Sequence, residues 1–131
     1  MEIFRVDARP SRAPNPDYFT GDVTMDTIID APEPARVGAL RVTFAPGART
    51  AWHTHPLGQT LYVVSGAGRI QKQGEPVQEI LPGDTVWIAP GEKHWHGATP
   101  DNAMCHIAIH EGLNGSYVDW LEKVTDEEYN G

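Results

Sequence analysis

The chain has 131 residues, with 18 acidic side chains against ten basic ones, a formal net charge of −8 and one cysteine. An acidic chain lacks the basic stripes that nucleic acid binding requires and is repelled by anionic membrane surfaces, so neither partner is expected. Cys105 alone excludes an internal disulfide and any multi-cysteine metal cluster.

The length suits a single domain over residues 1–131. Residues 1–20 include the proline-rich "RPSRAPNPDYF" and are read as an irregular N-terminal segment. The opening "MEIFRVDARP" is broken by charge, and no apolar run nears the ~20 residues that span a bilayer. A soluble, cytoplasmic protein is therefore expected. From Asp22 onward, short β-branched and aromatic runs alternate with glycine and proline turns. Strands are predicted at 22–29, 39–45, 60–65, 68–73, 77–81, 85–89, 94–99 and 103–111. In the second of these, Leu40, Val42 and Phe44 share one face and Arg41 and Thr43 the other. About eight such strands define an all-β sandwich or a closed jelly-roll barrel. Residues 116–131 are read as a helical tail, from Val118, Leu121 and Val124 at helical spacing and a capping box formed by Thr125 and Glu128.

All six histidines fall between positions 53 and 110. Residues two apart on a strand face the same side, so His53 projects with His55, His94 with His96, and His106 with His110. Three such pairs on three strands can converge inside a barrel. Imidazole is the commonest biological ligand for divalent transition metals. A metal site is the sharpest reading, against the plainer one of separate core or surface histidines.

The spacing resembles the cupin superfamily. Gly47, His53, His55, Gln59 and Gly66 stand at the positions of its first motif, and Gly83, Gly91 and His94 at positions of its second. Three residues depart from the pattern. Gln59 replaces the usual glutamate, Ala89 stands at the motif proline, and Ala98 replaces the terminal asparagine. The resemblance implies a single cupin barrel in which His53, His55, Gln59 and His94 bind a divalent metal. Over nearly the whole chain, including "GARTAWHTHPLGQTL" and "PGDTVWIAPGEKHWHGATP", the sequence is similar to the bacterial manganese-dependent cupin-type hydroxynitrile lyases. That similarity implies reversible cleavage of a cyanohydrin such as (R)-mandelonitrile to an aldehyde and hydrogen cyanide. It also implies Mn(II) as the ion, with Fe, Zn or Ni as alternatives, and a homodimer or homotetramer.

A neutral amide at position 59 leaves a divalent ion less compensated than a carboxylate would. Lewis-acid chemistry then gains over oxygen activation. His96 is the candidate general base, His106 a residue that orients it or carries the cyanide proton, and Thr50 a hydroxyl near the metal. Leu40, Val42, Phe44, Leu61 and Val63 are expected to wall the substrate pocket, with His110 narrowing it or adding a hydrogen-bond donor. Trp52, Trp87 and Trp95 have the opposite parity and are expected outside the pocket, as is Cys105. The alternatives are a metal-dependent cupin dioxygenase and a non-enzymatic cupin that binds a small molecule.

Overall fold

Each of the eight predicted strands forms in the computed structural model, which describes residues 1–131, with ends shifted by no more than two residues. In chain order the strands are β1 (Phe19–Thr20), β2 (Val23–Asp30), β3 (Val37–Phe44), β4 (Arg49–Thr50), β5 (His53–Thr54), β6 (Gln59–Gly66), β7 (Gly68–Lys72), β8 (Gln78–Ile80), β9 (Thr85–Ile88), β10 (His94–Ala98), β11 (Met104–Glu111) and β12 (Asp119–Trp120). One helix, α1 (Asp126–Asn130), follows. No helix is long and apolar enough to cross a membrane.

The strands build two antiparallel sheets. One runs β2-β3-β11-β6-β9, and the other contains β1, β4, β10, β5 and β12, with β7 and β8 joined through β10. This is the all-β jelly-roll architecture expected. Alternation along the strands supplies the core between the sheets, where Phe19, Val42, Phe44, Val63, Ile80 and Met104 pack together. The first-motif glycine Gly66 has φ +83°, and a Cβ there would meet the Ala103 carbonyl oxygen at 1.8 Å, so only glycine closes this corner.

The C-terminal segment departs from expectation. The helix is confined to Asp126–Asn130, where the Thr125–Glu128 capping box forms as predicted. Residues 116–124 contain no helix, and Asp119–Trp120 is a strand. Asp119 pairs with Thr54 and Trp120 with His53, while Trp52 and Leu121–Glu122 exchange backbone hydrogen bonds. A helix of nine residues is marginal by itself, and strand addition satisfies the same backbone groups against an existing sheet edge. Val124 and Tyr129 then cover Trp52 and Trp95 on the outer face of that sheet. Both tryptophans therefore lie outside the pocket, as their parity predicts. Trp87 is 62% exposed. Cys105 also faces away from the histidines and is buried beside Arg41, whose Nε donates to its Sγ at 3.3 Å.

Candidate metal centre and active site

Strand register brings the histidines together. His53 lies opposite His94 across the β5–β10 pair, and His110 opposite Gln59 across β11–β6. All six histidines are buried. The His53 and His94 rings are 4.2 Å apart between centroids, His53 and His55 5.0 Å, and His96 and His106 4.8 Å.

The hydrogen bonds at each ring divide these residues by chemistry. Nδ1 of His53 lies 2.9 Å from the Ala51 carbonyl, Nδ1 of His55 2.7 Å from that of Tyr117, and Nδ1 of His94 2.9 Å from that of Glu92. A carbonyl only accepts, so each Nδ1 carries the proton and each Nε2 keeps its lone pair. Buried Nε2 atoms of His55 and His94, and Oε1 of Gln59, have no hydrogen-bond partner. Unpartnered buried acceptors are costly unless something electropositive satisfies them, and a divalent cation does so. His53, His94 and His96 also each offer a ring nitrogen within 4.8 Å of the others. These donors fit a divalent metal centre.

His96 differs from the other three. Its Nδ1 meets Nε2 of His106 at 3.0 Å rather than a carbonyl, and its Nε2 is buried without a partner. Its backbone N–H donates to Oγ1 of Thr50 at 3.2 Å. Although His96 falls within the compact nitrogen triad, only His53, His55 and His94 have the carbonyl-pinned tautomer typical of metal ligands.

Burial holds all six imidazoles below their ordinary pKa. Desolvation is the leading cause throughout, and takes His94, His106 and His110 to about 4. His53 and His96 lie well below 6.5, with neighbouring histidines adding to the effect. The rings are neutral at pH 7, with lone pairs available for a metal or a proton.

Beside the histidines lies a cavity of about 160 Å³, lined by Phe19, Met25, Leu40, Val42, Phe44, Thr50, Tyr117, Val118 and Trp120 together with His53, His55, Gln59, His96, His106, Ala108 and His110. An apolar cavity near 150 Å³ accepts a benzene ring. A larger hollow, of about 750 Å³, is an open polar groove against the C-terminal segment and holds none of the histidines. Leu40, Val42, Phe44 and His110 line the smaller cavity. Leu61 and Val63 do not. They face inward with the right parity but are fully buried in the core, Leu61 against Ile88 and Ala108, because parity assigns a face and not a depth. His94 lies outside the cavity lining and borders a separate hollow beside Ile70 and Trp87.

Tyr117, Val118 and Trp120 are pocket residues that the sequence reading missed. They come from the segment predicted as helix, and the Trp120 ring lies tilted against His53 with centroids 4.8 Å apart. The signal available was the run Tyr117–Trp120 itself, whose Val118 and Trp120 share a face when extended.

Two buried histidine pairs from neighbouring strands, set inside a two-sheet barrel beside an apolar cavity, define a cupin metal centre. The chain belongs to the cupin family: the model described as "Cupin domain" matches residues 40–110. Among curated relatives, it is 59% identical over 129 residues, and 98% of both chains, to "(R)-mandelonitrile lyase" of Granulicella tundricola. Among solved structures, a cupin-like protein from Thermotoga maritima superposes with a TM-score of 0.87 at 38% identity, covering 99% of this chain and 96% of that one. A polyketide cyclase from Streptomyces resistomycificus shares the fold, with a TM-score of 0.75 at 19% identity over 99% of this chain and 91% of that one.

Proposed function

We propose that this protein is a metal-dependent hydroxynitrile lyase that cleaves aromatic cyanohydrins such as (R)-mandelonitrile to an aldehyde and hydrogen cyanide, and catalyses the reverse addition. The observation that carries this reading is a metal-ready donor set beside a ring-sized apolar cavity and a neutral, partner-pinned histidine base. The similarity to the Granulicella lyase over 98% of both chains supports the same assignment.

His53, His55, Gln59 and His94 would hold the metal, through the three Nε2 lone pairs and the Gln59 oxygen. The bound ion supplies Lewis acidity that stabilises negative charge on the substrate oxygen. The remaining work belongs to the chain. The apolar wall of Leu40, Val42, Phe44 and Trp120 receives the aromatic ring and excludes water. His96 accepts the hydroxyl proton at Nε2. In the required tautomer its Nδ1–H donates to Nε2 of His106, which fixes the ring and spreads the developing positive charge. Thr50 holds the strand at His96 through the backbone N–H. As the O–H electrons form the carbonyl, the carbon–carbon bond breaks and its pair leaves with cyanide. The proton on His96 then passes to cyanide, so the cycle closes without redox change.

Mn(II) is the proposed resident ion, supported by the neutral Gln59 donor, which suits Lewis-acid rather than oxygen chemistry. A homodimer or homotetramer is supported by exposed Tyr62, Trp87 and Ile109 on the outer face of the five-stranded sheet. A cytoplasmic setting agrees with the lone free thiol of Cys105. The test is anaerobic turnover of (R)-mandelonitrile by protein whose metal content is measured on the same sample. Benzaldehyde release with stoichiometric manganese is expected. Oxygen consumption with bound iron or nickel and no cleavage would overturn the lyase reading in favour of a dioxygenase.

A further inference from the structure

The amide of Gln59 poses a problem that a carboxylate would not. A carboxylate offers an oxygen whichever way it turns, whereas an amide turned by 180° presents an N–H₂ group to a cation. Something must select the orientation. His110 lies directly opposite Gln59 in the β11–β6 register, and its Nδ1 is 3.3 Å from Nε2 of Gln59. We propose that His110 is a positioning residue for the metal centre: its unprotonated Nδ1 accepts from the Gln59 amide and so locks the amide oxygen toward the metal.

One further observation supports this geometry. Oε1 of Gln59 is buried and free of any hydrogen-bond partner, so it stays available on the side away from His110.

The imidazole is itself held in place. The Tyr117 ring packs on it at 4.6 Å between centroids, and the Tyr117 hydroxyl donates to Oδ1 of Asp30 at 2.5 Å. Gly38, opposite His110 on the other neighbouring strand, leaves the space that this ring fills, since a Cβ there would lie 2.9 Å from Cζ of Tyr117. The Tyr117 carbonyl meanwhile pins His55. One residue thus steadies two neighbouring donors, one directly and one through His110. The sequence reads His110 as narrowing the pocket or adding a hydrogen-bond donor; this arrangement makes it an acceptor toward Gln59 and ties it to metal retention as well as to pocket shape.

The inference rests on Gln59 being a ligand, and the experiment separates the two ideas. Metal-free protein is titrated with Mn(II), and free ion is followed by its electron paramagnetic resonance signal. Gln59→Leu should weaken binding; if it does not, the ligand reading itself fails. His110→Leu should weaken binding about 10-fold or more, the usual effect of losing a partner that orients a ligand. His110→Asn, which places Oδ1 near the position of Nδ1, should restore it to within about threefold. In the Gln59→Glu background, where either oxygen serves, His110→Leu should cost less than about threefold. Equal losses in both backgrounds would show that His110 acts only by packing and would overturn the proposal. Nitrogen-15 resonance of the unsubstituted protein gives a second readout independent of any variant. The proton of His110 should sit on Nε2, and a proton on Nδ1 would also overturn it.

Discussion

Lowering the pH of metal-free protein from 7.5 to 5 should remove a large part of its folding stability. Free imidazole in an unfolded chain titrates near 6.5, while burial takes folded His94, His106 and His110 to about 4. Below pH 6.5 the unfolded chain therefore takes up protons that the folded protein refuses, and stability falls with pH until the folded rings ionise near 4. At pH 5 each ring contributes a loss of about 2 kcal/mol, or about 6 kcal/mol for the three, from 1.36 kcal/mol per pH unit per proton. His53 and His96 shift in the same direction and deepen the loss. Glu92, Glu122 and Glu128 have lowered carboxyl pKa values and act in the same sense only below about pH 4.5, so they do not confuse the window. Small domains hold about 5–15 kcal/mol in total. Urea unfolding of chelator-treated protein, followed by circular dichroism at pH 7.5, 6.5, 5.5 and 5, should show the midpoint collapse between the last three values. A midpoint unchanged to pH 5 would mean that the rings are hydrated or already charged in the fold, and are not neutral donors.

Three further outcomes are expected. His96→Ala should lower kcat by about 10²–10⁴ while leaving Mn(II) content unchanged, measured by turnover and elemental analysis together. Gly38→Ala would drive a methyl group against the Tyr117 ring and should cost about 1–3 kcal/mol, read by urea unfolding, with a raised KM as the pocket wall shifts. Trp95→Ala should cost about 3–5 kcal/mol, visible as a lower Tm, because the ring is fully buried, donates to Oε1 of Gln71 and packs on Tyr129.

The long strands were legible because alternation over five or more residues records a half-buried sheet face directly. Arg49–Thr50, His53–Thr54 and Asp119–Trp120 span two residues each, too short for any period to show. The segment around Val118 misled for a related reason. Its apolar residues fit a helical spacing, yet its backbone is claimed by the sheet edge at His53 and Thr54, a tertiary fact with no local trace. In the site, identical parity put His53 and His55 together and likewise His94 and His96. What parity could not give was depth, which separates Gln59 at the cavity from Leu61 and Val63 below it. Nor could it give register, which sets His110 beside Gln59. The 3.0 Å contact of His96 with His106 follows from two strands facing across the barrel.

Strand β10 leaves little room for change. All five of its residues are buried, with His94 and His96 on one face and Trp95 sealed under Val124 and Tyr129 on the other. A side chain at Gly97 would meet the Ala48 carbonyl oxygen at 2.3 Å. Drift during evolution is thus nearly closed to this strand, since almost any replacement harms the fold and the chemistry together. The loop carrying Tyr117 and Val118 lies partly at the surface and touches the cavity from outside the two sheets. Descendants of this sequence that acquire new substrates should therefore differ first in that loop, while the histidine strand passes down almost unaltered.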